Sequence, residues 1–196
     1  MAAMGRVKEF DPDAVLQRAL ELFWQRGYEA TSMSDLVEHL GIGRASIYAT
    51  FGSKRDLYLK ALERYLESQK PNPIEELSQP GPVLPAVREL VRRYAAESAS
   101  DLDGRGCMVV NAAVELVPED RLVTRRVQAS WDAIEVALTS ALTRAQAQGE
   151  LDASKNPRAL ARMLLVLLQG MRVVGKGEPP PGRLEDAAEQ ALALLD

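Results

Sequence analysis

Apolar residues recur at helical spacing through almost the whole chain, and this periodicity restricts the fold more than any other feature. The first predicted helix carries one such stripe, formed by Val15, Ala19 and Leu22, and similar stripes continue as far as Leu195. Side chains at this spacing share one face of a helix. Alternating segments typical of strands are scarce, and aromatic residues make up only 5% of the chain. The sequence therefore predicts an all-α protein.

A proline-rich stretch divides the chain. Residues 71–85 contain five prolines and a glycine, and proline inside a helix removes a backbone hydrogen bond and clashes with the preceding turn. We therefore predict an N-terminal domain over 1–70, a joint over 71–82 and a larger helical domain over 83–196.

Two segments of the larger domain predict a homodimer. The stripe within residues 157–174 is apolar on more than one side, and such a helix is buried on more than one side. This indicates a core face and a partner face. We expect residues 157–174 and 184–195 of two copies to pack together as a four-helix bundle.

Composition excludes several classes of function. The net charge of −4 argues against nonspecific coating of nucleic acid. The lone Cys107 and the lone His39 exclude zinc sites rich in these residues and lie in different predicted domains. No phosphate-binding loop or hydrolase motif is present, so we expect no enzyme activity, no catalytic or metal site and no cofactor.

No membrane segment or export signal is predicted. The longest apolar run, residues 163–168, is far shorter than the ~20 residues that span a bilayer. The sequence MAAMGRVKEF at the amino terminus lacks the apolar stretch of a signal peptide. We therefore expect a cytoplasmic protein that does not enter a membrane.

Two short apolar-patterned segments, 34–40 and 44–51, flank the turn Gly41-Ile42-Gly43. Two short helices about a tight glycine-containing turn form a helix-turn-helix, whereas the alternative is an ordinary αα-hairpin. In a helix-turn-helix, the second helix enters the DNA major groove with its amino-terminal residues toward the bases. Positions 41–55 also contain three basic residues and no acidic one.

The expected DNA contacts follow from this geometry. Ala45 and Ser46 are small enough to let the helix approach DNA closely. Arg44 has the chemistry to pair with guanine edges or phosphate, and the Ser46 and Tyr48 hydroxyls can donate to phosphate oxygens. Lys54 begins the next helix, where the helix dipole and the ammonium both attract phosphate.

Residues 23–57 resemble the TetR family of bacterial transcriptional repressors. The resemblance rests on Phe23, Gly27, Thr31, Leu36, Gly41, Tyr48, Phe51, Lys54 and Leu57. It implies an all-helical homodimer whose variable carboxy-terminal domain binds a small molecule and releases DNA. By position it implies DNA contacts at Thr31, Arg44, Ser46, Tyr48 and Lys54. Two departures are Gly43, where a serine usually caps the helix, and Ala49-Thr50, which replaces a frequent histidine pair, so the operator sequence does not carry over.

The carboxy-terminal domain contains a candidate effector site. Periodicity leaves helix and strand both open for the apolar residues 106–117, and the resemblance favours helix. Asn111 and Glu115, at i and i+4, either line a ligand cavity with Trp131 or form a hydrogen-bonded pair on one helix face. The candidate pocket set is Cys107, Asn111, Glu115, Trp131 and Met163.

Cys107 has two interpretations. It follows Arg105 and Gly106 at the predicted amino end of a helix, where the helix dipole and Arg105 favour a reactive thiolate that senses oxidants or electrophiles. A free cysteine beside Met108 and Val109 is also typical of a small buried apolar residue.

The function expected from the sequence is a DNA-binding regulator, a repressor that a small-molecule effector of unknown identity releases from a palindromic operator. One alternative is a constitutive DNA-binding protein without ligand response. Another is an enzyme, for which the sequence offers little support.

Overall fold

The computed structural model describes residues 10–196, which divide into two compact units, one that ends at Ser68 and one that comprises Gln69–Asp196. All regular structure in the described residues is helical, which confirms the predicted fold class. In the first unit the helices are α1 (Pro12–Arg26), α2 (Met33–Leu40), α3 (Arg44–Phe51) and α4 (Lys54–Ser68). In the second they are α5 (Pro73–Leu77), α6 (Val83–Ala99), α7 (Met108–Leu116), α8 (Arg121–Ala147), α9 (Pro157–Gly175) and α10 (Arg183–Leu192), followed by a 3₁₀ turn at Ala193–Leu195.

Helix α1 begins and ends at the residues that the sequence indicates. The Asp11 carboxylate accepts a hydrogen bond from the Asp13 backbone N–H at 2.9 Å, and Pro12 occupies the first turn. Proline suits that position because its missing N–H would have no partner there. The helix ends at Gly27, whose φ of 84° lies outside the region that other residues prefer. Helix α1 packs on α4, where Arg64 binds the Asp13 backbone carbonyl and carboxylate.

Capping boxes begin α2 and α4. Asp35 accepts a hydrogen bond from the Ser32 backbone N–H at 2.8 Å and returns one from its own N–H to the Ser32 hydroxyl at 3.1 Å. Ser53 and Asp56 form the same pair. The hydroxyl hydrogen bonds from the two serines are the main cause that lowers the pKa of both aspartates. Each cap therefore stabilises the fold at neutral pH and loses that contribution as the pH falls through the lowered pKa.

The second unit contains a helix where the sequence predicts a joint. Helix α5 lies within the predicted joint 71–82. It can form there because Asn72 caps it and Pro73 falls in its first turn. Proline is compatible with a helix at that position only. Arg144 of α8 donates a hydrogen bond to the Leu77 carbonyl at 2.7 Å and so fixes the end of α5.

Helices α6, α8, α9 and α10 enclose the core of the second unit. Its fully buried side chains include Val87, Leu142 and Leu164. Helices α6 and α9 approach closely at Gly175, since a Cβ there would lie 2.4 Å from the Ser98 carbonyl oxygen. This contact requires glycine. Among the described helices, none is long and apolar enough to cross a membrane.

Glu150 caps α6 from outside that helix. Pro82 precedes α6 and offers no side-chain hydrogen bond to it. The Glu150 carboxylate instead accepts hydrogen bonds from the backbone N–H groups of Val83 and Leu84, each at 2.9 Å. A carboxylate at this end also interacts favourably with the helix dipole. Glu150 thus ties the turn after α8 to the start of α6.

Candidate DNA-binding surface and effector site

The turn between α2 and α3 has the predicted helix-turn-helix form. Gly41 ends α2 with a left-handed φ of 66°, and its N–H bonds to the Val37 carbonyl at 3.1 Å. Gly43 precedes α3 in extended conformation, and its carbonyl accepts hydrogen bonds from Ser46 and Ile47. The buried Ile47 side chain anchors α3 to the unit. This arrangement orients the opposite face of α3 outward.

The outward face of α3 carries the predicted contacts. Arg44 and Ala45 are exposed, Ser46 is half-buried, and Tyr48 is 45% exposed. The Arg44 guanidinium lies 5.8 Å from the centre of the Tyr48 ring. Within residues 10–196, Arg44 has no carboxylate partner, so its charge is not neutralised by the protein. The face combines one cation with small and hydroxyl-bearing side chains.

Lys54 is the first residue of α4, and a tight turn fixes its place. Gly52 has a φ of 85°, and a Cβ there would lie 2.6 Å from an Asp56 carboxylate oxygen, so the turn requires glycine. The Lys54 ammonium lies 4.1 Å from the centre of the Tyr28 ring. No acidic residue in the described part of the chain pairs with Lys54. It therefore presents a full positive charge near the recognition helix.

Thr31 differs from the other predicted contacts. Its side chain is fully buried, and its hydroxyl donates a hydrogen bond to the Gly27 carbonyl at 2.6 Å. A side chain without accessible surface cannot reach DNA, so we correct that prediction and assign Thr31 to the junction between α1 and α2. The neighbouring Ser32 is exposed, but its hydroxyl belongs to the cap of α2.

The uncapped start of α3 leads to a stability prediction. A Cβ at Gly43 meets nothing within 4 Å, and the φ of −64° suits any residue. Gly43→Ser should raise the free energy of unfolding of the first unit by about 0.5–1 kcal/mol, because serine adds a cap and restricts the unfolded chain. Chemical denaturation measures the change. Gly41→Ser is the matched control and should lower stability by about 1 kcal/mol, since serine resists a left-handed φ. Equal effects at both positions would contradict the assignment.

In the second unit, Cys107 follows a tightly bonded loop. The Asp101 carboxylate accepts hydrogen bonds from the backbone N–H groups of Arg105, at 3.2 Å, and Gly106, at 2.5 Å. A Cβ at Gly106 would lie 2.8 Å from the Lys176 side chain, so the loop lies close against the end of α9. Cys107 itself is half-buried and occupies the N-cap position of α7.

A charged and aromatic cluster lies near Cys107. Arg172 donates a hydrogen bond to Glu97 at 2.5 Å, and its guanidinium lies 4.4 Å from the centre of the Tyr94 ring. Burial raises the pKa of the Tyr94 hydroxyl. Burial is the largest single influence on Arg172 and lowers its pKa, but the Glu97 hydrogen bond and the nearby negative charges together outweigh it, so the pKa of Arg172 is raised. A coulombic interaction with Cys107 contributes to the raised pKa of both groups.

The other predicted pocket residues have different surroundings. Both ends of the Asn111 amide are engaged, with the Arg105 carbonyl at 2.8 Å and the Lys176 ammonium at 2.9 Å. Glu115 is exposed. Met163 is half-buried against the core. Trp131 is half-buried, and its buried indole N–H has no hydrogen-bond partner among the described residues. Trp131 alone of these four offers an unused buried donor.

Sequence reasoning missed several residues of both surfaces. Tyr28, Tyr94, Glu97 and Arg172 have no local pattern that marks them, because their partners lie on other helices. Periodicity alone leaves residues 106–117 compatible with a helix or a strand, and the resemblance favours a helix. The structure confirms the helix, α7.

Comparison with protein families gives two matches along the chain. Residues 15–61 match the model for bacterial regulatory proteins of the tetR family. Residues 83–191 match the model for the tetracyclin repressor-like C-terminal domain. Together they cover both structural units.

Individual relatives match over nearly the full chain. The uncharacterized HTH-type regulator YezE of Bacillus subtilis is 38% identical over 194 residues, 98% of this chain and all of YezE. The HTH-type transcriptional repressor ComR of Escherichia coli is 32% identical over 97% of this chain and 91% of ComR. Among solved structures, a cysteine-substituted variant of the TetR-family regulator CifR, in complex with 26-bp operator DNA, matches with 34% identity and a TM-score of 0.85, over 98% of this chain and 100% of CifR.

Proposed function

We propose, from the premise that the chain belongs to the TetR family of bacterial regulatory proteins, that it represses transcription as a homodimer and leaves its operator when an effector binds. Chromosomal DNA as the target implies the bacterial cytoplasm as its compartment. The family is a class of transcription regulators rather than of enzymes.

The observation that carries this proposal is the outward face of α3. Arg44 extends from the amino end of α3 with no acidic partner among residues 10–196, and Ser46 and Tyr48 lie beside it. Lys54, at the start of α4, adds a second cation that no acidic residue of the described chain neutralises. Proteins read base edges with such residues at the amino end of a recognition helix and hold the backbone with lysine or hydroxyl contacts. We assign base reading to Arg44 and phosphate binding to Lys54, Tyr48 and Ser46, with Ala45 allowing close approach.

Helix α9 carries the surface that we assign to dimerisation. Val166 is 72% exposed, Val173 is 52% exposed, and Gly170 between them has open space where a Cβ would lie. These positions share one face of α9 because their spacing is helical. On α10 the exposed side chains are mostly charged or polar, and apolar exposure resumes at Leu194. We propose that residues 157–174 supply most of the apolar contact and that residues 184–195 complete the bundle.

Dimerisation would determine the kind of DNA site that the α3 face can bind. A twofold dimer presents two copies of α3, which fit successive major grooves when they lie roughly 34–36 Å apart. The operator is therefore palindromic. An effector that binds better when the copies of α3 are at another spacing shifts the population away from DNA.

The effector region that we propose includes Cys107, Trp131 and Met163, with Asn111 and Glu115 at its edge. Trp131 supplies the unused indole donor, and buried donors normally have an acceptor. We propose that the effector is largely apolar and provides a hydrogen-bond acceptor to Trp131.

A titration of operator DNA tests the function. Fragments of the promoter upstream of the protein's own coding sequence are titrated with purified protein at several salt concentrations. We expect one fragment to bind in preference to a scrambled fragment of the same length, with affinity that falls steeply with salt. Equal binding to both fragments at all salt concentrations would contradict a specific regulator.

Trp131 provides a direct reading of effector binding. The chain has two tryptophans, Trp24 in the first unit and Trp131 in the second. In a Trp24→Phe variant, Trp131 is the sole indole fluorophore, so a compound that releases DNA should also change its emission. A compound that releases DNA without altering Trp131 emission would place the effector elsewhere. If no compound in an apolar, cationic and electrophilic panel does either, a constitutive DNA-binding protein is favoured.

Chemical modification of Cys107 distinguishes a sensing role of this residue from a packing role. If it senses, N-ethylmaleimide or peroxide should abolish operator binding by the wild type and leave Cys107→Ser unaffected, because the reagent requires the thiol. Fluorescence anisotropy of labelled operator measures the loss, and mass spectrometry counts the modified thiol. Slow labelling of the native protein with unchanged DNA affinity would assign Cys107 to packing.

A further inference from the structure

We propose that Tyr28 is a positioning residue for DNA binding, and that its ring holds the Lys54 ammonium where the lysine meets a phosphate. The proposal rests on the DNA-binding function above and adds to it a residue that precedes the helix-turn-helix in the chain. Tyr28 lies just after α1, whereas Lys54 begins α4. The fold brings their side chains together at 4.1 Å.

The Tyr28 ring is itself held by aromatic neighbours. It lies 5.0 Å from Tyr58 in an edge contact and 6.3 Å from Phe23 in a stacked one. Tyr58 and Phe23 are buried and also contact each other at 5.1 Å. These distances fall within the range of favourable aromatic pairs. The half-buried ring beneath Lys54 is therefore packed against the core of the first unit.

An aromatic partner has a consequence that a carboxylate partner would not have. A cation over a ring is attracted to its face, yet keeps its whole charge for another partner. A carboxylate would also restrain the lysine, but it would cancel the charge that phosphate needs. The structure pairs Lys54 with Tyr28 and, within residues 10–196, with no acidic group. Tyr28 thus limits the conformations of the lysine without weakening its attraction to DNA.

Restraint of this kind affects affinity through conformational entropy. A free lysine loses rotamer freedom when it binds a phosphate, whereas a lysine already held loses less. Both subunits of a dimer would lose the restraint together. We expect Tyr28→Leu to weaken operator binding by about 5- to 50-fold.

The experiment measures operator affinity for wild type, Tyr28→Leu, Tyr28→Phe, Lys54→Ala and the double variant Tyr28→Leu/Lys54→Ala, each at several salt concentrations. Tyr28→Phe keeps the ring and should bind within about two-fold of wild type. Tyr28→Leu should reduce the salt dependence toward that of Lys54→Ala, because fewer phosphate contacts form. The double variant should bind no worse than Lys54→Ala alone.

These readouts distinguish positioning from a loss of structure. A merely destabilised first unit would lower the concentration of active protein without changing the salt dependence, and thermal unfolding would report it directly. The inference is overturned if Tyr28→Leu binds like wild type, if Tyr28→Phe loses as much affinity as Tyr28→Leu, or if the effects of Tyr28→Leu and Lys54→Ala simply add. If the wild type binds no operator, the proposed function fails first, and this inference falls with it.

Discussion

Replacing Val166 with arginine is expected to produce a monomer and to weaken operator binding by about 100-fold or more. Val166 is 72% exposed at the middle of the apolar face of α9. In the proposed dimer this arginine would be buried in an apolar contact, and removing a charge from water there is strongly unfavourable. A monomer binds only one half-site of the operator. It therefore lacks the increase in affinity that a dimer obtains because its second DNA-binding unit is held close to the second half-site. Light scattering measures the mass, and operator titration measures the affinity.

Val114→Arg is the matched control for this change. Val114 is 78% exposed, but it lies on α7 and outside the surface assigned to the dimer. The same substitution there should leave both mass and affinity near wild type. If Val166→Arg remains a dimer at micromolar concentration, or if both variants dissociate, α9 does not form the interface as proposed.

Local sequence signals predicted the first unit well because its helix ends depend on adjacent residues. The pair Asp11 and Pro12 starts α1, and Gly41 ends α2. Such caps act within one turn, so the order of residues is enough to place them. For the same reason, the helix-turn-helix can be located from the amino-acid sequence alone.

Features that depend on packing between distant segments were harder to predict from the sequence. Thr31 looked like a DNA contact from its place in the pattern, but burial under neighbouring helices removes it from the surface. The contacts of Lys54 with Tyr28 and of Arg172 with Tyr94 join different helices. Periodicity specifies which face of a helix is apolar, but it does not specify which side chain the neighbouring helix presents.

The short helix α5 shows that a strong local signal, here the run of prolines, can also mislead. Five prolines predicted a joint, yet Asn72 and Pro73 together start a helix in it. Proline excludes the interior of a helix but favours its first turn. A count of prolines therefore predicts where a long helix cannot run, whereas their positions decide whether a short one begins.

Arg44 and Lys54 should differ in what their loss does to DNA binding. Lys54→Ala should weaken binding to all DNA sequences by about 10- to 100-fold and lower the salt slope by about 2, because each subunit loses one phosphate contact. Arg44→Ala should cost about 1–3 kcal/mol per subunit and in addition relax discrimination at one base position of each half-site. The reason is that Arg44 lies exposed at the amino end of α3, which faces the bases in this motif.

Competition titrations with every single-base variant of the operator half-site separate the two roles. For Lys54→Ala, the ranking of the variants should match that of the wild type, whereas for Arg44→Ala one position should lose its preference. Arg18→Ala is a suitable control, since Arg18 is an exposed cation on α1 in the same unit and should change neither ranking nor slope. Preserved ranking in both test variants would make Arg44 a second phosphate contact, and sequence would then be read through Ser46, Tyr48 or the shape of the DNA. Wild-type affinity in both would instead place the DNA surface away from α3 altogether.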